Sequence, residues 1–415
     1  MGSNAVGQGD RRDRSPRAAL ITLCATQIMS WGVLFYAFPV LNTAITADTG
    51  WSATTVTGAF STGLAVSALA GVPAGRLLDR RGPRLVMTVG SVLAAASVAA
   101  IALAPTPLWF FAAWALAGVA QACVFYKPAF AALTAWYGDR RVQALTTLTL
   151  VAGLASTIFA PLTAVLAEHL TWRDTYFVLG AVMCAVTIPA HAIGLNLPWP
   201  SERARRDRAA AKSATPTSPT TRSVLRSSSF IALAAVLALA TFALFAATFF
   251  LVPLLTGRGM DTTTAAWALG LCGAGQLLGR IGYGTLHKHT SVVWRTVLIL
   301  ALGALAIAVT SAVAAPVVAI FAATIVLGAA RGAFTLLEAT AVSDRWGIRG
   351  FGLLYGVISA PATLALAVAP AAGALLARWL GGYTSTFGLL AGLMLTAALL
   401  TPLTGRGTPI TSHGR

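Results

Sequence analysis

Twelve apolar runs divide the chain, near residues 18–44, 52–75, 85–104, 108–136, 143–167 and 175–196, then 229–256, 264–286, 294–314, 317–342, 351–377 and 384–403. Most hold about 20 residues or more, which at a rise of ~1.5 Å per residue crosses a hydrocarbon core of ~30 Å. Each run predicts a membrane-spanning helix, because a helix satisfies its own backbone polar groups where no water can. Between the sixth and seventh runs the pattern changes. Residues 197–228 carry Pro198 and Pro200, a basic run from Arg203 to Lys212 and a Ser/Thr/Pro-rich stretch, a composition unable to bury a core. The predicted order is a polar tail (1–17), a six-helix bundle (18–196), a linker (197–228), a second six-helix bundle (229–404) and a short tail (405–415). The fold class is all-α and polytopic.

Composition points the same way. Of 415 residues 57% are hydrophobic and 10% charged, against about 25% charged in soluble domains. A net charge of +17 would suggest nucleic acid in a soluble protein. Here topology explains it, since basic residues collect in cytoplasmic loops. With the N-terminus inside, 23 of the 29 Lys and Arg fall on cytoplasmic segments, while Arg173, Arg258 and Arg378 fall outside. Both termini and the linker are therefore expected in the cytoplasm, with the chain in the cell membrane and the lipid bilayer as its standing partner. The tail does not read as a cleaved signal peptide, because the apolar run after it is too long and no small-residue cleavage site closes it.

Little catalytic chemistry is on offer. Cys24, Cys123, Cys184 and Cys272 lie inside apolar runs, and neither they nor the five histidines show metal-ligand spacing. No G-x-x-x-x-G-K loop is present to cradle a nucleotide. No metal, cofactor, nucleic acid or enzymatic activity is expected.

Between the second and third runs stands Gly75-Arg76-Leu77-Leu78-Asp79-Arg80-Arg81-Gly82-Pro83-Arg84. Its G-x-L-x-D-R-x-G-x-R spacing resembles the signature loop of the major facilitator superfamily, which joins transmembrane helices 2 and 3 on the cytoplasmic face. The resemblance implies a secondary transporter working by alternating access, with Gly75, Asp79, Arg80, Gly82 and Arg84 as gating residues. Gly75 permits close helix approach, and Asp79 can cap a neighbouring helix N-terminus. The halves echo each other at an offset of 209: Gly75-x-Leu77 recurs as Gly284-x-Leu286, and Ala160-Pro161 as Ala369-Pro370. Such duplication suits transporters whose site lies at the repeat interface. The second loop copy has Lys288 and His289 where Asp79 and Arg80 would recur.

Charge inside the membrane is expensive and usually functional. Lys127, Arg280 and Arg331 lie within runs, and Glu338 is the one acid comparably placed. Arg331, Thr335 and Glu338 share a helical face, as do Gly273, Gln276, Arg280 and Gly284. Pro128 disfavours helical geometry at Lys127, which leaves either an anion site at a broken helix or a lysine snorkelling to the surface. Ser30-Trp31-Gly32, Tyr36-Ala37-Phe38-Pro39 and Arg280 four residues before Gly284 resemble the monocarboxylate and oxalate/formate branch. There the helix-8 arginine binds the substrate carboxylate. Val40 and Gln276 stand where that branch's monocarboxylate carriers have lysine and aspartate. The expected substrate is a small organic anion, held by Arg280, Gln276, Lys127, Arg331, Tyr36 and Tyr126 and gated also by Glu338. A coupling proton or counter-substrate and a monomeric state complete the expectation. The alternatives are an exporter of hydrophobic or cationic compounds, and a non-transporting membrane sensor.

Overall fold

The structure, a computed structural model, describes residues 16–199, 221–313, 315–347 and 351–405. Most of the 1–17 tail, the basic part of the linker and the end of the 405–415 tail lie outside the described residues. Among the described residues the regular structure is entirely helical. The first half contains α1 (Pro16–Trp31), a π-helical turn (Gly32–Tyr36), α2 (Ala37–Thr49), α3 (Ala53–Arg81), α4 (Pro83–Ala102), α5 (Pro107–Val124), α6 (Tyr126–Tyr137), α7 (Arg141–Ala152), α8 (Ala155–His169) and α9 (Trp172–Gly194). The short α10 (Thr221–Leu225) precedes the second half: α11 (Ser228–Phe249), α12 (Leu251–Thr256), α13 (Thr262–His289), α14 (Val292–Ala312), α15 (Val317–Trp346), α16 (Phe351–Trp379) and α17 (Tyr383–Leu400).

Ten segments are long and apolar enough to cross a membrane. One of them, Pro107–His169, has 63 residues, roughly three times the length one crossing needs. It is interrupted at Phe125 and at the 3-10 turn Gly138–Arg140, so it crosses and returns. The 28-residue α13 is not among the ten, because its glycines, Gln276 and Arg280 dilute its hydropathy; it packs along α15. The described residues therefore make twelve crossings.

Local chemistry sets where helices start. Ser52, Thr106, Thr171, Ser227, Asp261 and Ser291 each accept a backbone N–H of the first turn, at the heads of α3, α5, α9, α11, α13 and α14. Such caps satisfy donors that hydrocarbon would leave orphaned. Gly82 makes the turn from α3 to α4 at φ +79°, a conformation that favours glycine.

The halves meet mainly at the end carrying the 75–84 loop, here called the loop end. There α16 packs along α3, and α13, α15 and α16 touch α6 or α7. A Cβ on Gly75 would lie 2.2 Å from the carbonyl oxygen of Gly352, and one on Gly356 would lie 2.6 Å from that of Gly71. Two small-residue faces thus let the backbones touch. One apolar cluster runs across both halves here, from Leu78 and Phe130 to Leu336 and Tyr355. At the opposite end the first half keeps a separate cluster around Phe110, Trp114 and Trp172, and α2, α8 and α12 pack chiefly within their own halves. Among the described residues, the closest approach of the halves is at the loop end.

Gly75→Val should force α3 from α16. A cysteine replacing the buried Leu78, in a background lacking the native cysteines, should then react at least about tenfold faster with a water-soluble maleimide, as a locally opened interface would. Unchanged reactivity would mean that the glycine contact is not what keeps this end shut.

Candidate functional site

Two irregular points in the first half shape the centre. The π-helical turn Gly32–Tyr36 widens the first crossing, with the Ala37 N–H reaching Gly32 O. Phe125, extended at φ −74°, ψ −165°, breaks the fourth crossing just before Lys127-Pro128. Backbone freed inside a membrane needs a partner. Gln27 Nε2 donates to Val124 O at 2.6 Å, and Gln121 Nε2 to Leu34 O at 3.1 Å. Both glutamines are fully buried. Gln27 was invisible in the sequence, being one neutral residue in an apolar run.

Three cations approach the interface between the halves. Arg280 on α13 is 7% exposed and donates through Nη1 to Thr149 O of α7 at 2.8 Å, across the interface. Gly153 makes room for it, since a Cβ there would sit 2.6 Å from that nitrogen. Its Nε has no partner among the described residues. Arg331 on α15 is half-buried, with its guanidinium carbon 4.1 Å from the centre of the Phe245 ring, a cation–π contact. Arg280 and Arg331 lie within electrostatic reach of each other, Arg331 of Tyr36, and Arg280 of Tyr126. Neither arginine has a carboxylate within salt-bridge distance among the described residues.

Lys127 does not snorkel to the surface. Its Nζ is buried without a hydrogen-bond partner among the described residues. It lies against Gly71 and lines a small cavity with Gly75, Tyr355 and Gly356. Glu338 is within electrostatic reach of Lys127 and Tyr355 but makes no salt bridge among the described residues. Arg331, Thr335 and Glu338 do form a half-buried stripe amid otherwise buried neighbours. Gln276 is half-buried, with its backbone carbonyl against Gly332 of α15. Gly273 and Gly284 face open space, whereas Gly275 and Gly279 form the contact with α15.

The loop end holds the gating candidates. Gly352 N and Leu353 N donate to the two Asp79 carboxylate oxygens at 3.0 and 2.8 Å. One half thus caps the first turn of α16 in the other, a favourable place for negative charge. Arg80 is exposed, while Arg84 Nη1 donates to Asn196 Oδ1 at 2.9 Å. Trp199 lies over Gly82 and donates to Asp79 O at 3.3 Å, so the start of the linker straps the loop.

Two charges are more deeply buried than hydropathy suggests. Besides Glu338, α15 carries a second enclosed acid, since it runs to Trp346 and the Asp344 side chain is 3% exposed. Arg295, one of the 23 basic residues assigned to cytoplasmic segments, lies in the first turn of α14 and is 2% exposed. Arg295 Nη2 and Arg141 Nη2 bind the two Asp344 oxygens at 2.5 and 2.9 Å, with His287 Nδ1 3.7 Å away. Arg141 belongs to α7, so this is a second tie between the halves. The sequence hid it because both charges stand at the edge of apolar runs, where solvent seems the natural partner.

These features match a known plan. A family model for the Major Facilitator Superfamily matches residues 23–317. The chain belongs to the Major Facilitator Superfamily. Monocarboxylate transporter 13 of Bos taurus is 27% identical over 261 residues, 62% of this chain and 57% of that protein. Two further curated relatives, from Thermoproteus tenax and Bacillus subtilis, match over 30% of this chain and about a third of their own length. Among solved superfamily structures, the fucose:proton symporter FucP of E. coli aligns over 95% of this chain and 100% of its own, with a TM-score of 0.68 at 13% identity. The human organic anion transporter MFSD10 aligns over 94% and 100%, with a TM-score of 0.65 at 18% identity. At such identities the likeness is one of fold.

Asp344→Asn leaves the buried Arg295 and the partly exposed Arg141 without their countercharge. It should cost about 3–5 kcal/mol, seen as a larger fall in the Tm of the detergent-solubilised protein than Asp79→Asn gives, since that change weakens two charge-assisted hydrogen bonds. Equal Tm values for wild type and Asp344→Asn would contradict the tie.

Proposed function

We propose that the chain is a secondary transporter that moves a small organic anion, most simply a carboxylate, by alternating access. The observation that carries this is the pair Arg280 and Arg331: two guanidinium groups near the interface, with no carboxylate bound to either among the described residues. A guanidinium stays protonated and its planar fork suits a carboxylate bidentately, whereas a buried charge without a partner is costly. Arg280 already spends one nitrogen on Thr149 O, so it serves both as a tie between halves and as an anion donor. Arg331, held over the Phe245 ring, contributes the second positive charge. The match to a monocarboxylate transporter and the fold likeness to an organic anion transporter lend support. An exporter of cations would need a free carboxylate in this place, and Glu338 lies within electrostatic reach of Lys127 instead.

In this reading the loop end faces the cytoplasm of a cell membrane, following the bias of the basic residues, and the opposite end faces outward. Asp79 and Asp344 hold the inner gate. The two halves rock about Arg280 and Arg331 as six-helix bundles, and the protein works as a monomer. A proton or a counter-substrate supplies the driving force, with Lys127 and Glu338 as the charge pair nearest the gate.

Reconstituted into proteoliposomes, Arg280→Gln and Arg331→Gln should each lower carboxylate uptake at least about tenfold, the loss of one charge-assisted contact. Arg280→Lys should retain weak uptake through charge alone. Native-like thermal unfolding would certify the fold of each variant. Robust uptake by a well-folded Arg280→Gln, Arg331→Gln double variant would end the anion reading.

A further inference from the structure

We infer that the anion is an aromatic carboxylate, its ring held on a wall formed by Trp31, Tyr36 and Tyr126 and its carboxylate by Arg280 and Arg331. This rests on the anion reading above and narrows it.

The π-helical turn is the first reason. It sets Phe35 and Tyr36 both over Trp31, with ring centroids 5.4 and 6.4 Å away. A regular α-helix of 3.6 residues per turn would rotate a residue five positions on away from Trp31. Such turns recur at functional sites. On its other side Trp31 stacks face to face with Phe125 at 4.1 Å and leans on Tyr126 at 5.0 Å. Both backbone irregularities of the first half therefore converge on one indole, and each is held in place by its own buried glutamine.

Exposure is the second reason. Phe110 and Trp114, at the heart of the first half's separate cluster, are 0% exposed. Trp31, Phe35, Tyr36 and Tyr126 are all half-buried instead, so each keeps part of its surface accessible.

Charge is the third. Tyr126 lies within electrostatic reach of Arg280, and Tyr36 of Arg331. The proposal therefore assigns the ring wall and the cations to one site. Trp31 Nε1 and Arg280 Nε are both buried without an acceptor among the described residues. A ligand with a flat ring and an adjoining carboxylate meets both demands. Its ring takes offset or edge contacts with the wall, and its oxygens accept from guanidinium and indole N–H groups. A saturated acid of the same size offers the oxygens without the ring quadrupole.

Benzoate and cyclohexanecarboxylate differ in that respect at nearly equal volume. Equilibrium binding of both to the purified full-length protein, with benzylamine as a cationic control, tests the idea. Benzoate should bind about three- to tenfold more tightly than cyclohexanecarboxylate, the scale of one or two aromatic contacts. Trp31→Leu should bring that ratio to about one; should this variant fail to fold, Tyr36→Leu, at the solvent-reachable edge of the wall, should lower the same ratio. Equal binding of the two acids by wild type overturns the aromatic proposal and leaves the anion reading standing. Benzylamine binding while both acids fail, or failure of both acids up to about 10 mM, overturns the two together. A ratio unmoved in well-folded Trp31→Leu and Tyr36→Leu variants removes the ring wall from the site.

Discussion

Gly75 and Gly352 bring α3 and α16 so near that the backbone of one lies against the backbone of the other. Nothing drives transmembrane helices together as water drives a soluble core, so contact depends on close van der Waals approach and on polar partners. The glycine faces supply the approach. They also place Asp79 within hydrogen-bond reach of Gly352 N and Leu353 N, and they bound the small cavity that Lys127 lines. With larger residues the carboxylate would fall short of its helix, and Lys127 would lose its enclosure.

The polar ties are unevenly shared between the ends. At the loop end Asp79 and the Arg141–Asp344 pair both cross from one half to the other. At the opposite end the strong ties stay within a half. Arg173 donates to Ala102 O at the end of α4 and to Ala104 O just beyond it, and Arg258 to Thr310 O and Val313 O at the foot of α14. Each fills orphan acceptors of a helix C-terminus with a cation that the dipole favours. Among the described residues, these ties hold each half's own shape at that end.

How much of this was legible in the sequence follows from the range over which each signal acts. The all-α polytopic class was open to view because runs of about 20 apolar residues are local. Pro128 pointed to a break in the fourth run, but it falls at Phe125 and not at Lys127, which lies in the first turn of α6; the turn at Gly82 was foreshadowed by the glycine itself. The partner of Asp79 was not readable: a loop spacing can place a carboxylate at a helix end, but it cannot name a backbone 273 residues away. Asp344 escaped because the apolar run ends near residue 342 while the helix continues to Trp346, so hydropathy put the acid in solvent. The role of Gln27 and the gathering of the rings around Trp31 arise from non-helical backbone inside helices, which periodicity does not register. At the centre, the sequence supplied Arg280, Arg331, Tyr36 and Tyr126 as residue types; that they share one neighbourhood depends on the crossing of helices from both halves.

The cap that Asp79 places on α16 also makes water a participant. While the loop end is shut, one carboxylate and two backbone N–H groups satisfy each other in a partly buried place. For that end to open, all three must be handed to water, because an unsatisfied backbone group near hydrocarbon is prohibitively expensive. Hydration must therefore advance with the separation of the helices rather than follow it. Solutes excluded from the protein surface lower the activity of that water and favour the dry contact. The balance between the shut and open ends is in this sense osmotic as well as electrostatic.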